Sequence, residues 1–253
     1  MKLTFLGTGT SVGVPTLGCQ CRVCSSTDPR DKRLRCSALV ETAQTRVLID
    51  AGPDFRQQML NQPFRKIDAV LLTHIHYDHA GGIDDLRPYC QFGEVNVYAD
   101  EATSCALMNY VPYCFAEKRY PGAPQINLHT LQMHKPLMIN ELEIVPFVVM
   151  HGHMPITGYR IGSLAYITDM KTMAHEEEIF VEGVDTLVVN ALRFSPPHHA
   201  HQLVSDAIAF ARRMGVRQTF LIHSCHHIGL HAEVNKSLPE GIQLAFDGQV
   251  VEL

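Results

Sequence analysis

Thr73-His74-Ile75-His76-Tyr77-Asp78-His79 places four candidate metal ligands within six positions, directly after the apolar run Ala69-Val70-Leu71-Leu72. In extended backbone alternate side chains share a face, so His74 and His76 can reach one ion, while Asp78 and His79 turn toward a second position. A tetrahedral zinc takes four ligands and a catalytic zinc takes three plus water, so a single ion would be crowded once ligands arrive from elsewhere in the chain. The spacing therefore predicts a two-metal site. A lone histidine beside a strand is most often solvated or packed in a core. An H-x-H-x-D-H run is another matter, because imidazole and carboxylate are the ligands that borderline and hard divalent ions share.

Three further residues sit as His74 does, each the first metal-capable group after a buried-looking strand. His151 ends Val145-Pro146-Phe147-Val148-Val149-Met150, Asp169 ends Ala165-Tyr166-Ile167-Thr168, and His223 ends Thr219-Phe220-Leu221-Ile222. Strands are expected at 3–6, 37–41, 46–49, 69–72, 95–98, 142–149, 158–161, 164–168, 186–189 and 219–222, with helices at about 53–61, 100–109, 203–214 and 230–237. Strands outnumber long helices and come in hairpin-like pairs, which predicts an α+β fold of two sheets packed face to face with helices outside. Such a sandwich gathers strand ends along one edge, where a rigid scaffold can hold a site.

At 253 residues and 46% hydrophobic content the chain can bury a full core. No linker, repeat or low-complexity tract divides it, so one domain over 1–253 is expected. A net charge of −5 gives no footprint for gripping long nucleic acid. The basic segment Arg30-Asp31-Lys32-Arg33-Leu34-Arg35 reads as a solvated loop. The segment from Met1 to Gly7 lacks the apolar length of a signal peptide and no run approaches 18 apolar residues, so a cytoplasmic protein without membrane contact is expected.

Of eight cysteines, three cluster in Gly18-Cys19-Gln20-Cys21-Arg22-Val23-Cys24. In a reducing compartment a C-x-C-x-x-C loop points to zinc, since thiolate selects that ion and a loop can wrap it. A fourth ligand is missing locally. Candidates lie in His223-Ser224-Cys225-His226-His227, with Cys36 as an outsider. Cys90, Cys105 and Cys114 read as buried thiols, the methionines at 133, 138, 150, 154, 170 and 173 as core filler, and Arg87 as a surface ion pair or a phosphate contact.

Through T-H-I-H-Y-D-H and the later His151, Asp169 and His223, the chain resembles the metallo-β-lactamase superfamily over nearly its whole length. The resemblance implies a four-layer αβ/βα sandwich. It also implies that His74, His76 and His151 hold one ion, that Asp78, His79 and His223 hold the other, and that Asp169 bridges them. With the cysteine loop at about 18–36, the chain is similar to the PhnP-type cyclic phosphodiesterases of phosphonate metabolism. That likeness implies a structural zinc on Cys19, Cys21, Cys24 and His226 and a functional histidine at His201; the chain departs from it in His198 and His199, which crowd His201, and in His153, an additional histidine close to His151.

The expected activity is hydrolysis of a small cyclic phosphate, of the ribose cyclic phosphate or 2′,3′-cyclic nucleotide type, by a dinuclear Zn²⁺ or Mn²⁺ centre. A water bridging two ions about 3.5–4 Å apart is acidic enough to serve as nucleophile without a protein base. Asp78 and His201 are the expected catalytic residues, His201 as proton donor to the leaving oxygen. The expected partner is a small phosphorylated substrate, with a homodimer as the assembly considered. Rival readings are a lactone or thioester hydrolase on the same metals, an RNA-processing nuclease for which no basic arm is visible, and a non-enzymatic carrier resembling PqqB, in which the histidine signature is degraded.

Overall fold

The computed structural model describes residues 1–116, 118 and 120–253. Its strands in chain order are β1 (Lys2–Gly7), β2 (Ser37–Glu41), β3 (Arg46–Ile49), β4 (Ala69–Leu71), β5 (Val95–Ala99), β6 (Ile126–Thr130), β7 (Leu137–Ile139), β8 (Leu142–His151), β9 (Met154–Ile161), β10 (Leu164–Tyr166), β11 (Thr186–Asn190), β12 (Gln218–Ile222), β13 (Ile242–Leu244) and β14 (Val250–Glu252). They form two seven-stranded mixed sheets, in the orders β14-β1-β2-β3-β4-β5-β6 and β13-β12-β11-β10-β9-β8-β7. From β3 to β6 and from β10 to β13 neighbours run parallel, and the remaining pairs are antiparallel.

Alternation of side chains explains the layering. Ala38, Val40, Val47, Ile49, Ala69 and Leu71 from the first sheet meet Tyr159, Ile161, Val188, Phe220 and Ile222 from the second in the central core. Their neighbours Leu39, Leu48 and Val70 point the other way, onto α1 (Phe55–Met59) and α3 (Glu101–Tyr110), which contribute Phe55, Met59 and Leu107. On the second sheet Leu187, Val189 and Leu221 pack beneath α4 (Val204–Arg213) through Val204, Ala207 and Phe210. Strands covered on both faces read as continuous apolar runs, as here. The result is the four-layer α+β sandwich.

Several local expectations need correction. The helix expected at 53–61 shrinks to Phe55–Met59, and β9 begins at Met154 rather than 158. The edge strands β6, β7, β13 and β14 were not foreseen, because short, half-exposed pieces carry little apolar periodicity. The basic segment is no solvated loop: Arg33 is buried and donates to Thr8 Oγ1 at 2.7 Å and to the Ala245 carbonyl at 2.6 Å, while Arg35 pairs with Asp54 at 2.8 Å. Cys105 is exposed and Cys90 half-buried, and Met138 is exposed at 56%. Arg87 forms the surface pair, with Asp84 at 2.7 Å. Among the described residues no helix is long and apolar enough to cross a membrane.

Candidate metal centre

The site is built from strand ends along one edge of both sheets, most of them from the parallel segments. β3 leads into Asp50, β4 into Thr73 and His74, β8 finishes on His151, and Asp169 and His223 follow the strands β10 and β12. His76 precedes α2 (Tyr77–Ala80), a single turn that carries Asp78 and His79. Asp50, Asp169 and His223 have φ of 60°, 54° and 54°, a left-handed conformation that is costly for non-glycine residues and turns each side chain sharply off its strand. Strain of that kind collects where packing must aim a functional group.

All seven residues expected from the histidine run and the strand ends come together. His74, His76 and His151 form one group of donor atoms and Asp78, His79, Asp169 and His223 form another, each within 4.8 Å. His74 Nε2 lies 3.1 Å from His76 Nδ1. Asp169 lies between the groups. Its Oδ1 is 3.2 Å from His223 Nε2 and 3.4 Å from His79 Nε2, whereas its Oδ2 faces His74 Nε2 at 3.9 Å. Its two oxygens thus serve different groups, which is what a bridging carboxylate must do.

A surrounding layer fixes which nitrogens face inward. The Asp50 carboxylate accepts from His79 Nδ1 at 2.7 Å, from Thr73 N at 2.8 Å and from the Thr73 hydroxyl at 2.9 Å. Thr73 Oγ1, its proton committed to Asp50, accepts from His74 Nδ1 at 3.0 Å. His151 Nδ1 donates to the carbonyls of Asp169 and Ala200 at 2.8 and 3.0 Å. Each of these imidazoles therefore turns its Nε2 toward the cluster, the arrangement that second-layer partners give metal ligands. Asp50 and Thr73 had not been singled out as functional. The visible signal was Asp50 itself, which follows its strand just as Asp169 does.

The chemistry of this donor set suits a cation. With Nδ1 donating to Asp50, the buried Nε2 of His79 lies 3.1 Å from Asp78 Oδ2 and 3.4 Å from Asp169 Oδ1, so two carboxylates converge on one imidazole nitrogen. Positive charge between them removes the conflict. Burial pulls the His79 pKa down, but the charges of Asp169, Asp50 and Asp78 prevail and hold it well above the usual histidine range. Burial likewise works to raise Asp169 and is overcome by His223 and His79, which keep that carboxylate ionised. His74, where burial dominates, stays neutral.

His201 stands at the edge of this cluster, its ring 4.8 Å from that of His223 and 4.7 Å from that of His151. Its buried Nδ1 has no hydrogen-bond partner and lies 3.9 Å from Asp169 Oδ2. Burial first, and then the charge of His223, push its pKa down to about 3. His198 is half-buried beside it and His199 is exposed, so of the three neighbours His201 is the one in contact with the cluster. His153 is exposed, unlike His151.

The cysteine loop meets the segment after β12. Cys19, Cys21 and Cys24 Sγ lie 3.2, 3.3 and 3.4 Å from His226 Nδ1. A tetrahedron with bonds of about 2.3 Å to sulfur and 2.0 Å to nitrogen has edges of roughly 3.5 Å, close to these distances. The N–H of Cys24 donates to the Cys21 sulfur, which holds that thiol down at about 6, whereas burial pushes Cys24 up to about 11. Cys36 lies apart, donating to the Gly9 carbonyl at 3.3 Å.

The sequence profile of the β-lactamase superfamily domain matches residues 45–224, which carry all seven residues of the two histidine and carboxylate groups. The chain belongs to the metallo-β-lactamase superfamily. A crystal structure described as a new diphosphatase from the PhnP family superposes with a TM-score of 0.92 at 39% identity, covering 100% of this chain and 97% of that one. Zn²⁺-bound PqqB from Methylobacterium extorquens shares the fold, with a TM-score of 0.81 at 20% identity. By sequence, an octanoyltransferase of Porphyromonas gingivalis (strain ATCC BAA-308 / W83) is 43% identical over 249 residues, 98% of this chain but 51% of that protein. PqqB of Xanthomonas campestris pv. campestris (strain B100) is 27% identical over 170 residues, 62% of this chain and 54% of that protein. The chain spans about half the length of these curated relatives. By sequence and structure this superfamily chain thus resembles the PhnP family.

Proposed function

We propose that the protein is a phosphodiesterase for small cyclic phosphates, with two divalent ions in the histidine cluster and one zinc in the cysteine loop. The observation that carries the reading is Asp169, whose separate oxygens face the two ligand groups beside an unpartnered His201. The full-length likeness to a PhnP-family diphosphatase supports phosphorus over carbon as the reacting centre. His74, His76 and His151 would hold one ion and Asp78, His79 and His223 the other, with Asp169 shared. Two such ions polarise a phosphoryl oxygen and supply a nucleophile near neutral pH.

The chain's own residues do the rest. Asp50, through Thr73 and His79, keeps two imidazoles in register. His201 protonates the leaving oxygen; its buried Nδ1 is left without a hydrogen-bond partner beside Asp169. The octanoyltransferase name of the longer relative favours a second reading, hydrolysis of an acyl ester or thioester. That relative is about twice as long, and its name applies to the whole protein, of which this chain matches 51%. Turnover of a 2′,3′-cyclic nucleotide and bis(p-nitrophenyl) phosphate, measured beside a lactone and an octanoyl thioester on metal-loaded protein, separates the two. Acyl hydrolysis without phosphodiester cleavage would refute the first.

A general acid matters in proportion to how poor the leaving group is. His201→Ala is expected to slow cleavage of a cyclic nucleotide by about 10²–10⁴-fold, and that of a nitrophenyl diester far less, since nitrophenolate leaves without a proton. His198→Ala and His199→Ala should affect both weakly. Equal losses on both substrates from His201→Ala would mean a binding or metal-site role.

A further inference from the structure

Beside the metal cluster, on the same edge of the sandwich, lies a cleft of about 540 Å³ that neither the ligands nor His201 line. β5 runs parallel to β4, so Asp100 leaves its strand where Thr73 and His74 leave theirs. α3, which starts after Asp100, and the segment after β6 form one wall, and β8 and β9 of the second sheet form the other. The two walls are tied together by Thr157, whose N–H donates to the Thr73 carbonyl at 2.9 Å and whose hydroxyl donates to Asp100 Oδ2 at 3.5 Å. Pro155, also in the lining, pairs across the hairpin with Met150. The cleft therefore abuts Thr73 and Met150, each one position, about 3.3 Å of extended chain, from the ligands His74 and His151.

Leu131, Met133, Val148, Pro155 and Ile156 make most of the lining apolar. Its charged groups among the described residues are both acids, Asp100 and Glu101. Asp100 is engaged as the cap of α3, with Oδ1 accepting from Thr103 N at 2.9 Å and Oδ2 from the Thr103 hydroxyl at 2.7 Å. Glu101 is exposed and has no cation or side-chain donor among the described residues. A cleft of this size suits a small organic group. Two carboxylates repel a phosphate, and an alkyl chain would desolvate them without offering a donor. A nucleobase meets both demands, with an apolar face for the walls and an N–H edge for a carboxylate. Guanine matches best, because its N1–H and 2-amino group are adjacent donors for two acceptor oxygens, whereas the single N–H of uracil is flanked by carbonyls.

We propose that this cleft is a nucleobase subsite, in which guanine packs between α3 and the β8–β9 hairpin and pairs with Glu101 while the ribose cyclic phosphate reaches the histidine cluster. The substrate class is then a guanosine 2′,3′-cyclic phosphate rather than a ribose cyclic phosphate without a base. The proposal rests on the phosphodiesterase reading for the bond that is cleaved, and it assigns base recognition to residues outside the ligand set.

Binding is measured apart from turnover, by saturation-transfer NMR of guanosine and uridine with zinc-loaded wild type, Ala102→Phe and Glu101→Gln. Ala102 is exposed on the first turn of α3 and lines the cleft, so phenylalanine there fills it without entering the core. Wild type should bind guanosine at least several-fold more tightly than uridine, Ala102→Phe should lose guanosine, and Glu101→Gln should level the two nucleosides. Turnover compares kcat/KM of the metal-loaded proteins for guanosine 2′,3′-cyclic phosphate and for methyl ribofuranoside 2,3-cyclic phosphate, which has no base. Wild type should favour the nucleotide by roughly tenfold or more, the scale of one packed base, and Ala102→Phe should bring the ratio near one. A wild type that cleaves neither compound removes the phosphodiesterase reading alone, and the binding measurements then decide the subsite. Absence of guanosine binding, binding that Ala102→Phe leaves intact, equal binding of guanosine and uridine, or a wild-type kcat/KM ratio near one overturns the proposal. Should Ala102→Phe misfold, Glu101→Gln decides. Octanoyl thioester turnover that Ala102→Phe abolishes, with no guanosine bound, would overturn it in favour of an acyl chain.

Discussion

Asp169→Asn is expected to lower kcat/KM by on the order of 10³-fold or more, at least the scale seen when one preorganised electrostatic group is removed from a site, with little loss of fold. The substitution is nearly isosteric, and asparagine tolerates the left-handed φ of 54° found there. What it removes is a negative charge shared between two ligand groups, and it leaves one acceptor oxygen where there were two. Oδ1 faces His79 and His223 while Oδ2 faces His74, so either orientation of the amide turns an NH₂ group toward one of the groups. Circular dichroism of the metal-free protein should match wild type, with a lower Tm, because His79 and His223 lose the buried charge they face. Activity within tenfold of wild type would show that Asp169 does not join the two groups.

Cys21→Ala should have the opposite signature. A structural zinc contributes its binding free energy to folding, and a site reduced from four ligands to three keeps only part of it. For a chain of this size the loss of several kcal/mol corresponds to a fall in Tm of roughly 10–20 °C. The loop from Cys19 to Cys24 has a small core of its own, Val14, Val23 and Cys24 with Leu230 against it, which is too little to hold the segment without the ion. Whatever folds should retain the histidine-bound ions and measurable turnover. A variant that melts like wild type and has lost all activity would make the thiol cluster catalytic.

The contrast between these variants follows from what the sequence made visible. His74, His76, Asp78 and His79 are contiguous, and His151, Asp169 and His223 each follow an apolar strand, so local pattern exposed them. Their sharing into two groups depended on the carboxylate of Asp169 turning both ways, which no spacing encodes. Asp50 follows β3 just as Asp169 follows β10, but its role rests on the parallel pairing of β3 with β4, which puts it against Thr73 and His79. The two sheets were legible from apolar runs such as Leu187–Val189 and Thr219–Ile222, whereas β6, β7, β13 and β14 were not. Being edge or near-edge strands of three to five residues, they owe their existence to neighbours rather than to their own pattern. The basic segment misled for a related reason: Arg33 is buried and bonded to Ala245, more than 200 positions away.

Metal content tests the central claim most directly. Elemental analysis of protein stripped of metal and reconstituted with Zn²⁺ should give three ions per chain in wild type. In Cys21→Ala, where the thiol cluster alone is broken, it should give about two. A single ion per chain in fully reconstituted wild type would contradict the assignment of separate histidine and cysteine centres.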